Sequence, residues 1–429
     1  MLQFFALLFY RVFFLCLLPL LLVLLFVRSK NNPDYRKRLM ERFGFISPTF
    51  NKNSIVIHAA SVGEVLALKP LVEKLQQQQP KLVITFTTFT PTGSAQVKKL
   101  FGDQVQHCYL PLDLWPCTAL FLHSLQPQAI VFMETEIWPN LLAQCSQRDI
   151  QLLLVNARLS EKSVKSYQKL AWLIQPSLIA FNYIYCQSDD NCQRFLALGA
   201  DINKTSVSGN LKYDIALDAT NKIKQDELAQ FINPSRDIWV VASTHPGDEE
   251  IILAAFKEIK KQYPALLLVL VPRHPERFDN VARLCQMSFN TIRRSSKVMV
   301  ESTTDIWLLD SLGELLATFA LANLVTMGGS FSEIGGHNPL EPALFKLPII
   351  VGPDMHNFND IMQQLEQHQG IIQLKNEHKV SEQLSLEIIR LLQHPTLASQ
   401  YGEKAHQVVL ANQGASQRSI DKLLELMNR

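Results

Sequence analysis

A glycine-rich stretch, residues 328–342 (GGSFSEIGGHNPLEP), carries the most chemical information in the sequence. It follows an apolar run, Leu321–Val325, that predicts a buried strand, and it leads into Leu340–Leu347, which predicts a helix. Glycines let a backbone approach a ligand closely, and a helix N-terminus offers free N–H groups and a partial positive charge. Asn338 can cap the helix, and Glu341 in its first turn can accept hydrogen bonds from paired hydroxyls. The pattern indicates a ligand-binding loop, although it matches neither the P-loop nor the dinucleotide motif, and a plain turn between strand and helix is the alternative.

Acidic residues follow two other apolar runs. Glu64 begins a predicted helix, whose dipole favours the ionised form, and an ionised carboxylate at the mouth of a cleft can act as a general base. It could equally be a first-turn residue that only stabilises its helix. Glu134 and Glu136 lie two apart at a strand end and would share a face if the strand geometry persists. Paired carboxylates can do acid–base work, but a surface loop would also tolerate them.

Basic residues are found at similar positions. Lys212 could neutralise a leaving phosphate, although a lone lysine is usually only solvated. Arg273 and His274 follow a very apolar strand, and the planar fork of an arginine suits a phosphate or a carboxylate. His245 and Asp248 occupy a loop of the same kind. The sequence contains no H-E-x-x-H, D-x-D or G-x-S-x-G motif, so nothing in it demands a metal ion or a serine nucleophile.

The elements that must position these residues alternate beyond residue 50 in the manner of βαβ units. The runs predicted as strands are Ile55–Ala59, Leu82–Phe86, Ala129–Met133, Leu152–Val155, Tyr183–Cys186, Ile238–Ala242, Leu266–Val271, Leu321–Val325 and Leu347–Val351. A polar segment, Asp218–Arg236, separates the first five from the rest and predicts two open α/β domains facing each other across a cleft. Ligands of such parallel sheets bind at the carboxyl ends of the strands, where nearly all of these polar residues fall.

Composition narrows the classes of function. A chain of 429 residues with 47% hydrophobic residues can bury two cores. A net charge of +2 argues against a broad nucleic-acid-binding face. The seven cysteines are scattered and form no C-x-x-C, which fits a reducing compartment and argues against a disulfide framework or a zinc cluster. We therefore expect no nucleic-acid partner, no metal and no cofactor.

The N-terminus differs in kind from the rest of the chain. Leu2–Val27 is apolar except for Gln3, Tyr10 and Arg11, and this length predicts a retained membrane-anchor helix over residues 1–28. An uncharged start without a cleavage site argues against a signal peptide. Arg11 could snorkel toward the interface, or the helix could lie partly in the interface. The basic residues that follow place the remainder of the chain in the cytoplasm by the positive-inside rule; they are Arg28, Lys30, Arg36, Lys37, Arg38 and Arg42.

A set of motifs in a fixed order gives the chain a family resemblance. The motifs are HAASVGE (His58–Glu64), TFTPTGS (Thr88–Ser94), METEIWPN (Met133–Asn140), NARLS (Asn156–Ser160), GNLKYD (Gly209–Asp214), VPRHPERF (Val271–Phe278) and GGHNPLEP (Gly335–Pro342). The chain resembles the 3-deoxy-D-manno-octulosonic acid (Kdo) transferases of Gram-negative lipopolysaccharide synthesis, and the resemblance runs through the whole chain, including its N-terminal segment.

This resemblance implies a GT-B fold and an inverting, metal-independent transfer of Kdo from CMP-Kdo to the lipid A precursor lipid IVA. It implies that Glu64 is the general base and that Glu134 and Lys212 stabilise the transition state. The residues that would hold the cytidine nucleotide are Pro272, Arg273, Gly313, Glu314, Leu315, Asn338, Pro339, Leu340 and Glu341. The implied localisation is the inner membrane, with the catalytic domains on its cytoplasmic side.

The corresponding organisation has four parts. They are a membrane-anchor helix over 1–28, an acceptor-binding Rossmann-like domain over 29–215, an interdomain segment over 216–236 and a donor-binding Rossmann-like domain over 237–429. Two other functions are considered beside this one. The chain could be a GT-B transferase for a different nucleotide sugar or lipid, or a membrane-anchored nucleotide-binding scaffold that needs no carboxylate at position 64.

Overall fold

The computed structural model describes residues 2–215, 219–232, 236–375 and 379–428. They form two compact units: the first comprises Met1–Asp214 with Asn412–Arg429, and the second comprises Ile215–Ala411. Residues 216–218 and 233–235 of the predicted interdomain segment lie outside the described residues. The rest of that segment belongs to the second unit, and the end of the predicted second domain belongs to the first.

Parallel strands alternate with helices in the first unit, as their apolar runs predict. The strands are β1 (Ile55–Ala59), β2 (Ile84–Thr88), β3 (Gln106–Tyr109), β4 (Ala129–Met133), β5 (Gln151–Ala157), β6 (Tyr183–Cys186) and β7 (Thr205–Val207). The helices are α1 (Leu2–Asn31), α2 (Leu39–Arg42), α3 (Val62–Gln78), α4 (Pro91–Phe101), α5 (Trp115–Leu125), α6 (Pro139–Ser146), α7 (Glu161–Gln168), α8 (Ala171–Ile179) and α9 (Asp189–Ala197). Short 3₁₀ helices lie at Pro33–Arg36, Gly102–Gln104, Ile202–Lys204 and Leu211–Tyr213.

The strand order of the first unit decides where its polar loops meet. Across the described residues, the sheet runs β3-β2-β1-β4-β5-β6-β7, with all neighbours parallel. Its two faces are both buried: Ile55 and Ile57 pack with α3, whereas Val56 packs with α5 and α6. The order reverses at β1, and such a reversal opens a crevice at the carboxyl ends of the two strands that flank it. We call the crevice between β1 and β4 the first crevice.

The second unit repeats this plan. Its strands are β8 (Ile238–Thr244), β9 (Leu267–Pro272), β10 (Thr291–Arg293), β11 (Ile306–Leu308), β12 (Leu324–Met327), β13 (Ile349–Val351) and β14 (Ile372–Gln373). Its helices are α10 (Ala219–Ala229), α11 (Asp248–Ile259), α12 (Phe278–Gln286), α13 (Leu315–Phe319), α14 (Leu340–Ala343), α15 (Asn359–Gln367), α16 (Val380–Gln393) and α17 (Pro395–Asn412), with 3₁₀ helices at Pro275–Arg277, Arg294–Ser296 and His356–Phe358. A last helix, α18 (Ala415–Met427), returns to the first unit.

The second sheet runs β10-β11-β9-β8-β12-β13-β14 within the described ranges, again with all neighbours parallel. Its order reverses at β8, so its crevice lies between the carboxyl ends of β8 and β12. We call this the second crevice. The predicted α/β class with two parallel sheets is therefore confirmed.

The C-terminal helix α18 is held in the first unit by a cap and by core packing. The buried Asp214 carboxylate accepts the N–H groups of Gly414 and Ser416, at 2.6 and 2.5 Å, where the helix begins. Ile420 and Leu423 are fully buried in the same hydrophobic cluster as α3. The last turns of the chain thus complete the core of the first unit.

The N-terminal helix α1 packs against α6 and α8 of the first unit. The Tyr10 hydroxyl donates to Asp113 Oδ2 at 2.9 Å, and Arg11 Nε donates to Asn140 Oδ1 at 2.8 Å. Among the residues that the structure describes, no helix combines the length and the apolar content needed to cross a membrane. This finding does not support the predicted membrane-spanning anchor over residues 1–28. The polar side chains of Tyr10 and Arg11, midway along the apolar segment, pair with side chains of the first unit. The predicted inner-membrane localisation and topology depended on that anchor, so the structure does not support them either.

Candidate active site

Glu64 lies at the first crevice, in the first turn of α3, directly after the loop that follows β1. The side chains of Ser61 and Glu64 cap the helix together: Ser61 Oγ accepts the Glu64 N–H at 3.3 Å and donates to Glu64 Oε1 at 2.8 Å. Glu64 Oε2 accepts the N–H of Ala60 at 2.8 Å. Burial raises the pKa of Glu64, the two hydrogen bonds oppose this, and the charges of Glu134 and Glu136 raise it further. The helix N-terminus favours the ionised form of this carboxylate, whereas burial and the two neighbouring carboxylates act in the opposite direction.

Glu134 begins the loop after β4 in an unusual backbone conformation. Its φ is +59°, in the left-handed region that few residues other than glycine adopt. The Glu134 N–H nevertheless donates to the Val155 carbonyl at 3.0 Å and so extends the pairing with β5. Asn156, which follows in β5, has a φ of +55°. Backbone strain of this kind concentrates at functional sites, where the surrounding structure holds it in place.

Glu136 is held by groups that sequence reasoning did not single out. The fully buried His58 on β1 places Nε2 3.3 Å from Glu136 Oε2, and Trp138 Nε1 donates to the same oxygen at 2.8 Å. The other imidazole nitrogen of His58 lies 3.0 Å from Thr87 Oγ1, and the Trp138 ring stacks on Phe89. Burial acts to raise the pKa of Glu136, but His58 and Trp138 together hold it below its ordinary value. Glu136 therefore stays charged beside Glu64.

Lys212 lies in the short 3₁₀ helix Leu211–Tyr213, which packs against α3. The Lys212 side chain is half-buried. Its backbone N–H donates to Asn210 Oδ1 at 3.0 Å, and the N–H of Leu211 donates to Asn156 Oδ1 at 2.9 Å. These bonds tie the Lys212 segment to the end of β5 in the first unit.

A buried carboxylate organises the second crevice. Asp248, at the start of α11, accepts the N–H of His245 at 2.8 Å and the N–H of Gly329 at 2.6 Å. The Ser332 hydroxyl donates to it at 3.4 Å. Asp248 thus joins the loop that follows β8 to the glycine-rich loop that follows β12.

The glycine-rich loop passes very close to β8. A Cβ on Gly328 would lie 2.7 Å from the carbonyl oxygen of Ser243, so no larger residue fits there. The helix predicted over Leu340–Leu347 is shorter than expected, because α14 ends after one turn and Lys346 has a left-handed φ of +56°. Asn338 Oδ1 accepts the N–H of Leu340 at 3.2 Å, which is a local turn and not a cap on a long helix. The strong helix dipole expected at this loop is therefore missing.

Glu341 and Arg273 meet at this crevice. Arg273 directly follows β9, and its N–H donates to the Thr244 carbonyl at 3.1 Å. Burial raises the pKa of Glu341 to about 7, and the charge of Arg273 opposes this. The predicted nucleotide-binding residues thus lie at the end of β9 (Pro272) and at the start of α14 (Asn338–Glu341), next to loops that Thr244 and Asp248 connect.

The third predicted nucleotide-binding segment, Gly313–Leu315, is held by side chains. Lys224 Nζ donates to the Gly313 carbonyl at 2.8 Å, and Arg294 Nη2 donates to Glu314 Oε1 at 3.0 Å. Ser311 donates to the other carboxylate oxygen of Glu314. Lys224 lies on α10, so the polar segment that looked like a linker supports this part of the second unit. No group of three or more His, Cys, Asp or Glu residues within the described ranges is arranged to hold a metal ion.

The comparisons with known proteins agree with one another. A family model described as 3-deoxy-D-manno-octulosonic-acid transferase (kdotransferase) matches residues 37–215. A 3-deoxy-D-manno-octulosonic acid transferase of Haemophilus influenzae is 41% identical over 424 residues, which is 98% of this chain and 99% of that protein. The chain belongs to the Kdo transferase family. A Kdo transferase of Rickettsia bellii is 31% identical over 418 residues, or 96% of this chain and 97% of that one.

Solved structures support the fold of this Kdo transferase. The UDP-GlcNAc 2-epimerase of Neisseria meningitidis aligns with a TM-score of 0.57 at 14% identity, covering 87% of this chain and all of that one. A glycosyltransferase from Rickettsia africae aligns with a TM-score of 0.55 at 13% identity, covering 88% and 98% of the two chains. At such low identity the likeness concerns the fold alone, which is GT-B-like. Family membership makes the protein a glycosyltransferase that transfers Kdo in lipopolysaccharide synthesis.

Proposed function

We propose that this Kdo transferase moves Kdo from CMP-Kdo to a hydroxyl of the lipid A precursor lipid IVA, with inversion at the anomeric carbon and without a metal ion. The observation that carries the proposal is the Glu64 carboxylate at the first crevice, whose pKa is raised by burial and by neighbouring carboxylates. Because the chain belongs to the Kdo transferase family, we assign that carboxylate a role in Kdo transfer.

Glu64 acts as the general base in this proposal. A hydroxyl is a poor nucleophile until its proton is removed, and a carboxylate with a raised pKa is a better proton acceptor than an ordinary one. The acceptor oxygen forms the new bond to the anomeric carbon on the face opposite CMP, and its proton passes to Glu64. The bond between that carbon and the phosphate oxygen breaks, and CMP leaves with the electron pair. Ser61 and Ala60 orient the carboxylate through their hydrogen bonds.

Two further residues of the first unit stabilise the transition state. The anomeric carbon gains positive charge as CMP departs, and the Glu134 carboxylate offsets that charge. The Lys212 ammonium offsets the negative charge that develops on the leaving phosphate. Preorganised charges of this kind are usually the largest single contribution to catalysis.

The second unit holds the donor nucleotide through the three segments described above. Glu341 accepts hydrogen bonds from the ribose hydroxyls, and Arg273 pairs with the phosphate. Gly313–Leu315 and Asn338–Leu340 complete the contacts to CMP. With arginine, lysine and other side-chain donors at the phosphate, no divalent cation is needed for the departure of CMP.

The test is product mass after incubation of the purified protein with CMP-Kdo and lipid IVA. We expect lipid IVA to gain the mass of one or more Kdo units, in the presence of EDTA as well as in its absence. The donor is supplied as purified CMP-Kdo, so that a metal requirement of the enzyme that makes CMP-Kdo does not enter. Absence of Kdo addition, or a loss in EDTA that magnesium restores, contradicts the proposal.

A further inference from the structure

Backbone N–H groups at the second crevice are already engaged within the protein. The N–H groups of His245 and Gly329 both donate to Asp248, and that of Gly336 donates to the Gly329 carbonyl at 2.8 Å. The helix α14 that follows is only four residues long, so its dipole adds little. These three N–H groups are therefore not available to a phosphate, which makes the side chains at this crevice the donors to consider.

Two histidine side chains meet at this position. His245 Nε2 lies 2.8 Å from His337 Nε2, and the rings are inclined by only 14°. They come from loops 92 residues apart, one after β8 and one after β12. His245 is 8% exposed, and the His337 ring lies against the backbone of Gly329, where an added Cβ would sit 3.1 Å from Cδ2. The pair therefore stands at the reversal point of the sheet, where ligands of such folds bind.

The short distance between the two nitrogens fixes the proton count between them. Two lone pairs at hydrogen-bond distance repel, and two N–H groups collide, so one proton lies between the Nε2 atoms of His245 and His337. If the pair is neutral, it has two protons: one lies between the Nε2 atoms, and the other lies on Nδ1 of the ring whose Nε2 accepts, so the other Nδ1 carries none. If the pair carries one positive charge, both Nδ1 atoms are N–H donors. An anion prefers the charged form, because that form offers two donors and a charge.

The surroundings keep the pair neutral when no anion is bound. Burial lowers the pKa of His337 to about 4, and the positive charges of its neighbours act in the same direction. Burial also lowers the pKa of His245. The titratable and charged groups around the pair are Arg273, His274, Arg277, Asp248, Glu249 and Glu341. Glu249 raises the pKa of His245, but it is already paired with Arg277 through two bonds of 2.8 Å, and burial with the neighbouring positive charges outweighs it.

We propose that His245 and His337 bind the phosphate of the nucleotide as a proton-sharing pair, and that the pair takes up a proton when the nucleotide binds. The proposal rests on the proposed function, in which the second unit binds CMP. It adds two phosphate ligands to that site and links donor binding to pH.

The experiment is calorimetric titration of the full chain with CMP near neutral pH, in two buffers that differ in ionisation enthalpy. The number of protons taken up should be lower in His337→Gln than in the unchanged protein by about half a proton or more. CMP and Glu341 also titrate near this pH, but they are present in both proteins and cancel in the difference. CMP affinity should fall about tenfold or more in His337→Gln and in His245→Gln, because a hydrogen bond to a charged group is lost. Cytidine, which lacks the phosphate, should bind both variants as it binds the unchanged protein.

His368→Gln is the matched control. His368 is an exposed histidine of the second unit whose Nδ1 lies 2.8 Å from its own helix carbonyl at Gln364, so its replacement should change neither affinity nor proton number. An equal loss of cytidine and CMP affinity in both histidine variants overturns the proposal, as does an unchanged proton number. Parallel titrations of Arg273→Ala and Glu341→Ala distinguish an error in the proposed donor site from an error in the role of the histidine pair. If the histidine variants contradict the proposal and these two variants bind CMP normally, the proposed donor site itself is wrong. If the histidine variants contradict the proposal but these two variants bind CMP weakly, the donor site stands and only the role of the histidine pair is wrong.

Discussion

The first crevice gathers three glutamates, whereas the second crevice gathers imidazole and guanidinium groups beside the carboxyl groups of Asp248 and Glu341. Glu64, Glu134 and Glu136 follow β1 and β4 of one sheet. His245 and His337 follow β8 and β12 of the other sheet, at equivalent positions. Both sheets reverse their strand order next to their first strand, so the same architecture builds two sites of different composition. The fold decides where a site forms, and the residues of two short loops decide what it binds.

The two crevices also share a feature of the backbone. Each has a residue other than glycine in the left-handed region at a strand end, Glu134 with a φ of +59° in one and Ser243 with a φ of +60° in the other. In the second crevice this distortion lets Gly328 pass within contact distance of β8. The division of chemistry between the units predicts that variants of the first should alter turnover and that variants of the second should alter nucleotide affinity.

The largest expected effect concerns turnover. Glu64→Gln retains the shape of the side chain and one acceptor oxygen for its capping hydrogen bonds but removes its basicity, so kcat should fall about 10²–10⁴-fold. CMP affinity, measured by calorimetry, should remain unchanged, because the nucleotide belongs to the second unit in our proposal.

The matched control is Glu73→Gln on the same helix, where an exposed glutamate pairs with Lys69 at 3.5 Å. It should turn over normally. If Glu64→Gln keeps more than about a tenth of the kcat, the residue is only a cap of α3. Glu134 or Glu136 would then be the candidate base.

The next largest effect concerns stability, and it tests whether the hydrophobic cores of the two units are independent. Leu423→Ala should lower the free energy of unfolding of the first unit by about 2–5 kcal/mol, because it leaves a cavity in a fully buried cluster. Thermal unfolding with and without CMP measures this, since CMP should protect only the second unit. Leu386→Ala, at a leucine 66% exposed in the second unit, should have little effect. Weaker CMP binding in Leu423→Ala would contradict the assignment of CMP binding to the second unit alone.

A smaller effect is expected for the donor site. Arg273→Ala and Glu341→Ala should each weaken CMP binding by roughly 1–3 kcal/mol, because charged hydrogen-bond partners are lost. Calorimetry measures the affinity, and Glu403→Ala is the control, since that partly exposed carboxylate of the same unit pairs with Lys346 at 3.0 Å. Unchanged affinity in both Arg273→Ala and Glu341→Ala would remove the nucleotide from this crevice.

The smallest effect is a pH dependence of stability. In the folded protein Glu341 keeps its proton up to about pH 7, whereas an ordinary glutamate loses it near 4.5. The folded state therefore binds more protons over this interval, and stability should fall as the pH rises from about 4.5 to 7. Relative to Glu341→Gln, the melting temperature of the unchanged protein should drop as the pH rises across that range, because only the unchanged protein has this titrating carboxyl group. If the melting temperatures of the two proteins changed equally with pH, Glu341 would not be the origin of the pH dependence.

Sequence reasoning located the central strands well and the outer strands poorly. Ala129–Met133 is an unbroken apolar run, buried on both faces, and its predicted and observed bounds coincide. Gln106–Tyr109 forms the edge strand β3 but is partly exposed and polar, so it carries no such signal. The strands Thr205–Val207, Thr291–Arg293, Ile306–Leu308 and Ile372–Gln373 were also missed, and each has only two or three residues. Short strands give too few positions for a period to be recognised.

The candidate sites show a similar limit. Glu64 and Arg273 could be singled out because each directly follows an apolar run, and such runs end at one edge of a parallel sheet. The contacts between His58 and Glu136 and between His245 and His337 could not be deduced, because they join segments distant in sequence through the exact register of neighbouring strands. The roles proposed for Glu134, Lys212 and the nucleotide-binding segments came from family resemblance, and they stay predictions.

The C-terminal helix has a consequence for synthesis. A ribosome releases the chain from its N-terminus, and domains generally fold as they emerge. Here the hydrophobic cluster that holds β1 and α3 also requires Ile420 and Leu423, which are the last of its residues to be made. The N-terminal half must therefore wait, with part of its core uncovered, until translation is finished. A stalled or truncated product lacking α18 would expose that apolar surface, which makes it a natural client for chaperones and proteases.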